Sequence, residues 1–251
     1  MLYLIGLGLN ENGISKEGIE AIAKCKKIYL ENYTVEFPYP VGFLNEVINK
    51  KIFQADRELV ESLSIIDEAR RMNVALLVYG SPLTATTHTA LIQEANNLGV
   101  KWKIVYSSSI LDAIAETGLQ LYKFGRIASL PTWKENYNPT SFVEVIKNNQ
   151  SINAHTLILM DIGLEFGKAI EKLDEIFKSS EVKTESIVVC SRLGNDTSRI
   201  YYGEMKSFVN GFKDENGKLR DIKNKIKSPF CVIIPSKLHF LEKDILEIYQ
   251  I

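Results

Sequence analysis

The chain predicts an α/β protein of two α/β domains, with a parallel sheet in the N-terminal part and a mixed sheet in the C-terminal part. Three observations carry this. Short aliphatic runs alternate with amphipathic helical patterns through residues 2–106, which implies parallel strands joined by right-handed helical crossovers. Glycines stand where two of those runs end, in Gly6-Leu7-Gly8 and in Tyr79-Gly80. Beyond residue 110 the strands continue, but helices no longer separate every pair, which suggests a mixed sheet. The boundary is expected near residues 107–110, giving domains 1–108 and 109–251.

Residues 2–9 read as a buried strand. Residues 16–25 form a helix with Ile19, Ile22 and Ala23 at helical spacing and Ser15 as its N-cap. A strand at 27–30, a short helix at 41–50 and a strand at 51–54 follow. Residues 59–72 read as one helix with a charged outer side. Val74-Ala75-Leu76-Leu77-Val78 is continuously aliphatic, the mark of a strand buried on both faces. Residues 87–98 form a helix stopped by Gly99, and 102–106 form a strand. In the second part, 110–116 is a helix, 122–130 a strand, and 131–139 a loop carrying Trp133 and Tyr137. A helix at 140–148, a strong strand at 155–161 and a long amphipathic helix at 164–178 come next. Strands at 186–191 and 200–205 precede a charge-rich segment, 212–227, read as an exposed loop. The last buried strand, 230–234, ends at Pro235, and residues 241–249 form the closing helix.

The 251 residues are enough for one large or two modest domains. Net charge is −1, from 30 Lys+Arg against 31 Asp+Glu, which argues against a dedicated nucleic-acid binder. Cys25, Cys190 and Cys231 are isolated in sequence, so neither a zinc site nor a redox dithiol is expected; buried reduced thiols fit the cytoplasm. No apolar run approaches the roughly 20 residues that span a bilayer. The first residues lack the basic flank and cleavage site of a signal peptide.

The segment Gly80-Ser81-Pro82-Leu83-Thr84-Ala85-Thr86-Thr87-His88 is the most informative. It joins the end of a buried strand to the start of a helix, and in open α/β sheets ligands lie outside the carboxyl ends of the strands. An ordinary, well-capped connection explains the same residues. Gly6-Leu7-Gly8 lacks the third glycine of a dinucleotide fingerprint, where Glu11 stands. Its glycines serve either a ligand or tight packing. His88, His155 and His239 are dispersed and read as structural polar groups, and no nucleophile–base–acid order emerges. Asp161 reads as a local turn residue. Tyr122-Lys123-Phe124-Gly125-Arg126 reads as a surface strand with snorkelling cations, with an anionic partner as the second reading.

Several segments together resemble the diphthine synthases, methyltransferases of diphthamide formation within the tetrapyrrole-methylase superfamily. They are Leu4-Ile5-Gly6-Leu7-Gly8-Leu9, the Gly80-to-His88 segment, Thr117-Gly118-Leu119 with Tyr122-Lys123-Phe124-Gly125, and Pro139-Thr140-Ser141. His155-Thr156-Leu157, Ser191-Arg192-Leu193-Gly194 and Pro235-Ser236-Lys237-Leu238-His239 complete the set, which spans nearly the whole chain.

The resemblance implies two α/β domains of tetrapyrrole-methylase type, S-adenosylmethionine in the cleft between them, S-adenosylhomocysteine as product, and a homodimer. The cofactor contacts it implies are Leu9, Ser81, Thr84, Ser109, Ile110, Met160, Leu193 and Phe230, with no metal and no assigned catalytic residue. It implies translation elongation factor 2 as the protein substrate, methylated on the amino nitrogen of a modified histidine, and no membrane or nucleic-acid partner. Three positions depart from the family pattern. Ser81 replaces the usual Asp, Phe230 stands where His is common, and Ser236 replaces the glycine of Pro-Gly-Lys-Leu-His. Methyl transfer from a sulfonium is an in-line displacement that needs positioning more than acid–base groups, which agrees with the absence of an acid–base constellation. Two rivals remain: C-methylation of a corrin or sirohaem precursor, and a non-enzymatic binding protein on the same fold.

Overall fold

The computed structural model describes residues 1–133, 139–180, 182–214 and 216–251, so Tyr137 and Glu215 lie outside the described residues. The chain divides into two compact units, Met1–Ala113 and Ile114–Ile251. The boundary expected at residues 108/109 lies a few residues before this division.

The first unit runs β1 (Leu2–Gly6), α1 (Lys16–Ala23), β2 (Lys27–Glu31), α2 (Gly42–Ile48), β3 (Phe53–Ala55), α3 (Arg57–Glu61), α4 (Ser64–Arg71), β4 (Val74–Val78), α5 (Thr89–Asn97), β5 (Trp102–Val105) and α6 (Ile110–Ala113). Its sheet has the order β3-β2-β4-β1-β5, with every pairing parallel. Successive strand residues point to opposite faces, which divides the core in two. Tyr3, Ile5, Ala75 and Leu77 pack with Ala21 and Ile22 of α1 and Leu44 and Ile48 of α2. Leu2, Leu4, Val74 and Leu76 pack with Ile65 and Ile66 of α4 and Leu91 and Ala95 of α5. All residues of β1 and β4 are buried, as continuous aliphatic runs require of central parallel strands. Each buried Leu, Ile and Val side chain among them contributes about 1.5–3 kcal/mol.

Residues 59–72 are not one helix. Leu63 adopts φ 61° between α3 and α4. The Ser62 hydroxyl bonds the Leu59 carbonyl at 2.8 Å and so competes with the helix ladder. The apolar spacing that suggested continuity survives because both short helices face the same core.

The second unit runs β6 (Ala128–Leu130), α7 (Ser141–Ser151), β7 (Thr156–Met160), α8 (Phe166–Ser179), β8 (Ser186–Ser191), β9 (Arg199–Glu204), α9 (Met205–Asn210), β10 (Phe212–Lys213), β11 (Leu219–Arg220), β12 (Phe230–Ile234) and α10 (Phe240–Glu247). The main sheet has the order β6-β7-β12-β8-β9. β6 is parallel to β7, while β12 is antiparallel to both β7 and β8 and β8 is antiparallel to β9, so the sheet is mixed. Ala169, Ile170, Leu173 and Phe177 of α8 pack on Ile187, Val189 and Val232.

Three expectations need correction here. Residues 122–130 are not one strand: a 3-10 turn covers Leu121–Lys123, Phe124 makes an isolated parallel bridge to His155, and only Ala128–Leu130 forms a strand. The α-helix expected over 110–116 ends at Ala113 and continues as a 3-10 turn, Ile114–Thr117. Segment 212–227 is not simply an exposed loop, because β10 and β11 form a hairpin and Ile222 and Ile226 enter the core.

Candidate functional site

In the first unit, the helices leaving β1 and β2 pack on one face of the sheet, and those leaving β3 and β4 pack on the other. β1 and β4 are neighbours whose following helices go to opposite faces. The connections that follow their carboxyl ends therefore lead to opposite faces, and open α/β sheets receive ligands at such a point.

The sequence makes this edge by close backbone contact. Gly8 N–H donates to the Gly80 carbonyl at 3.2 Å, and Gly80 N–H donates to the Gly8 carbonyl at 2.9 Å. A Cβ on Gly6 would lie 2.6 Å from the Gly80 oxygen and 2.9 Å from Ser107 Cβ. The Gly6-x-Gly8 signature is thus a packing device that lets three loops converge. The Tyr79 hydroxyl donates to the Leu9 carbonyl at 2.9 Å, tying the end of β4 to the loop after β1.

Ser81 is buried, and its carbonyl accepts the Thr84 N–H at 3.1 Å. The Pro82 carbonyl accepts both the Thr86 hydroxyl at 2.9 Å and His88 Nδ1–H at 3.0 Å. Ser109 is buried after β5, where its N–H and hydroxyl donate to Asp112 at 2.7 and 3.0 Å. Its neighbour Ile110 begins α6. A Cβ on Gly80 would lie 4.0 Å from Ser109 Cα, so Leu9, Ser81, Thr84 and Ser109 belong to one group of loops.

Buried polar atoms on the loops after β1, β2 and β4 that lack hydrogen-bond partners include Glu11 Oε2, the Tyr39 hydroxyl and His88 Nε2. Burial, and secondarily the Glu11 carboxylate, pushes the Tyr39 phenol well above its usual range. The Phe37 ring meets Tyr39 and Tyr79 edge-on, and the three ring centroids lie 5.4–6.5 Å apart. Sequence reasoning missed Glu11 and Tyr39, since neither sits in a spaced motif.

In the second unit, Met160 ends β7, Leu193 follows β8 and Phe230 begins β12. Because β12 is antiparallel to both neighbours, these three positions share one end of that sheet. Leu193 and Phe230 are buried, and the Phe230 ring meets Phe166 edge-on at 5.5 Å. Arg192, at φ 53°, donates its N–H to the Pro229 carbonyl and its Nε–H to the Ser228 carbonyl, both at 2.8 Å, and so fixes the loop bearing Leu193.

Motif residues Lys123, His155, Ser236 and His239 assemble around Glu242. This fully buried carboxylate accepts Gln120 N–H at 3.0 Å, His239 N–H at 2.7 Å, His155 Nε2–H at 3.1 Å, and the Lys123 ammonium. Ser236 N–H donates to His155 Nδ1 at 2.9 Å, so the ring proton sits on Nε2. Burial alone would raise the Glu242 pKa, but the His239 N–H, the Lys123 ammonium, the Gln120 N–H and His155 together pull it down to about 2. Burial, outweighing Glu242, lowers that of His155. His155 is therefore a fully buried member of this network and no strand-edge group, and Lys123 is no snorkelling surface cation. Glu242 was invisible in the sequence, because its capping box begins at His239, an uncommon N-cap. Asp161 makes the local turn bond expected of it, accepting Ile162 N–H at 3.0 Å, and also a distant one, accepting Thr132 N–H at 3.0 Å.

Among the described residues, no group of three or more His, Cys, Asp or Glu is placed to hold a metal ion, and no helix is long and apolar enough to cross a membrane.

The sequence matches the family described as Tetrapyrrole (Corrin/Porphyrin) Methylases over residues 1–208. It is 34% identical to the diphthine methyl ester synthase of Schizosaccharomyces pombe, covering 100% of this chain and 95% of that protein. It is 36% identical to a diphthine synthase of Methanococcus maripaludis, covering 98% of both. The crystal structure of a diphthine synthase superposes with a TM-score of 0.83 at 29% identity, covering 99% of this chain and 95% of that one. The two-sheet architecture, the loops converging at the β1/β4 edge and this likeness along the full chain agree: the chain belongs to the tetrapyrrole (corrin/porphyrin) methylases, a family of methyltransferases, and within it to the diphthine synthases.

Proposed function

We propose that the protein transfers methyl groups from S-adenosylmethionine to the amino nitrogen of the modified histidine of translation elongation factor 2, with S-adenosylhomocysteine as the second product. Full-length similarity to diphthine synthases supports the acceptor, and the β1/β4 edge supports the cofactor. The reading includes a homodimer working in the cytoplasm, where the translation factor is found. C-methylation of a tetrapyrrole is not favoured, since the full-length relatives are diphthine enzymes.

The residues suit this cofactor. It carries an ammonium, a carboxylate, ribose hydroxyls and a sulfonium. The loops after β1, β2 and β4 offer it the Ser81 and Thr84 hydroxyls, together with the unpartnered Glu11 Oε2 and Tyr39 hydroxyl. When bound, the cofactor supplies a methyl group already activated on sulfur. What the protein adds is alignment, which is worth several kcal/mol of the barrier. In this reading the cofactor contacts are Leu9, Ser81, Thr84, Ser109, Ile110, Met160, Leu193 and Phe230. The apolar residues exclude water, while Ser81 accepts a hydrogen bond without the charge an Asp would bring.

The test is transfer of labelled methyl to elongation factor 2 bearing the unmethylated amino intermediate. Label on the factor, with a mass gain counting the methyl groups, is the expected result. Label on an offered tetrapyrrole precursor, or on neither acceptor, would refute the reading.

A further inference from the structure

We propose that His88 is a positioning residue for the cofactor loop: its Nδ1–H, through the Pro82 carbonyl, holds the turn that presents Ser81 and Thr84. The assignment of a ligand to this loop rests on the function proposed above, whereas the bracing of the loop does not.

The Pro82 carbonyl can only accept, so at 3.0 Å His88 Nδ1 must carry the proton. The ring is buried, and its contact reaches back six residues. Inside that span, Ala85 adopts φ 55°, a left-handed conformation that costs a non-glycine residue about 1–2 kcal/mol. A turn holding such a residue opens unless something secures it. The same carbonyl also accepts the Thr86 hydroxyl at 2.9 Å, and Thr84 N–H closes on the Ser81 carbonyl at 3.1 Å. Thr84, Thr86 and His88 thus form one internal hydrogen-bonded loop. Of these, His88 contributes the brace anchored outside the turn, since it is the residue just before α5 and is buried. This explains why Thr and His, both capable of donating, stand here instead of apolar residues of similar size.

Two substitutions separate the donor from the ring's bulk. His88→Asn places an amide N–H near the position of Nδ1 but leaves a void and removes Nε2. His88→Leu fills the space and donates nothing. The first readout needs no cofactor: amide hydrogen exchange across residues 80–88 of the full-length protein. The second is calorimetric affinity for S-adenosylhomocysteine. Losing one net hydrogen bond is expected to speed exchange of the Thr84 amide by about 5- to 10-fold in His88→Leu, with His88→Asn staying within about 3-fold of the parent. Affinity should follow the same order. Equal exchange in both variants, or faster exchange in Asn than in Leu, would overturn the proposal, because volume or Nε2 would then be what matters. If the parent protein fails to bind the ligand, the proposed function fails, and the exchange order still decides the role of His88.

Discussion

Replacing Glu242 with Gln tests the buried network most directly. The four groups around this carboxylate, Gln120 N–H, His155 Nε2–H, His239 N–H and the Lys123 ammonium, are all donors. A Gln amide keeps one accepting oxygen and turns an NH2 group toward two of them. Orphaning two buried donors costs about 1–3 kcal/mol each, in line with about 3–5 kcal/mol for breaking a buried ion pair. The depressed pKa gives a second route to the magnitude. A fall from 4.5 to about 2, at about 1.4 kcal/mol per unit, is worth about 3 kcal/mol. Both routes predict a loss of about 3–4 kcal/mol at pH 7, a large share of a typical domain stability of about 5–15 kcal/mol. Because the folded pKa is depressed, this contribution is complete above the unfolded value near 4.5 and is lost as pH falls from there toward about 2. The gap between parent and Glu242→Gln should therefore close over that window. The chain has two tryptophans, Trp102 in the first unit and Trp133 in the second. Urea unfolding followed by Trp133 fluorescence, in a Trp102→Phe background, reads the unit that holds Glu242. A loss below about 0.5 kcal/mol at pH 7, or a gap that persists unchanged below pH 4, would refute the reasoning.

Three further outcomes are expected. His155 is kept neutral by burial, so the parent should lose stability as pH falls below about 6.5, where the unfolded imidazole takes up a proton; His155→Gln should flatten this slope between pH 7 and 5, and an unchanged slope would place the titration elsewhere. Ser81→Asp should tighten S-adenosylmethionine binding by about 10-fold, the difference between a neutral and a charged hydrogen bond; weaker binding by calorimetry would show that Ser81 does not face the cation. Gly6→Ala would press a methyl onto the Gly80 oxygen at 2.6 Å, so a loss of about 1–3 kcal/mol in chemical unfolding is expected, and an unchanged midpoint would mean the loops are not tightly joined.

The first unit was legible because its signals are local. Val74–Val78 and Leu2–Gly6 are continuous aliphatic runs, and glycine marks their ends, so strand, turn and helix follow in sequence order. The Gly80-to-His88 segment could be placed at a strand's carboxyl end for the same reason. Its meaning was less legible: the fold shows Thr86 and His88 turned inward on the Pro82 carbonyl. Residues 122–130 misled because Tyr122 and Phe124 alternate with polar neighbours as a strand would. A strand needs a partner, and only Ala128–Leu130 has a full one, in β7.

The sequence by itself determined the alternating architecture, the central buried strands and the family resemblance, all of which rest on periodicity and on short ordered motifs. Only the tertiary structure decided that Lys123, His155, Ser236, His239 and Glu242 form one hydrogen-bonded network around a buried carboxylate, and that Gly6 and Gly8 serve packing. The physical reason is range. Residues separated by as many as 122 positions, as Gln120 and Glu242 are, leave no local pattern, and burial of a charge is settled by whichever donors the completed fold brings to it.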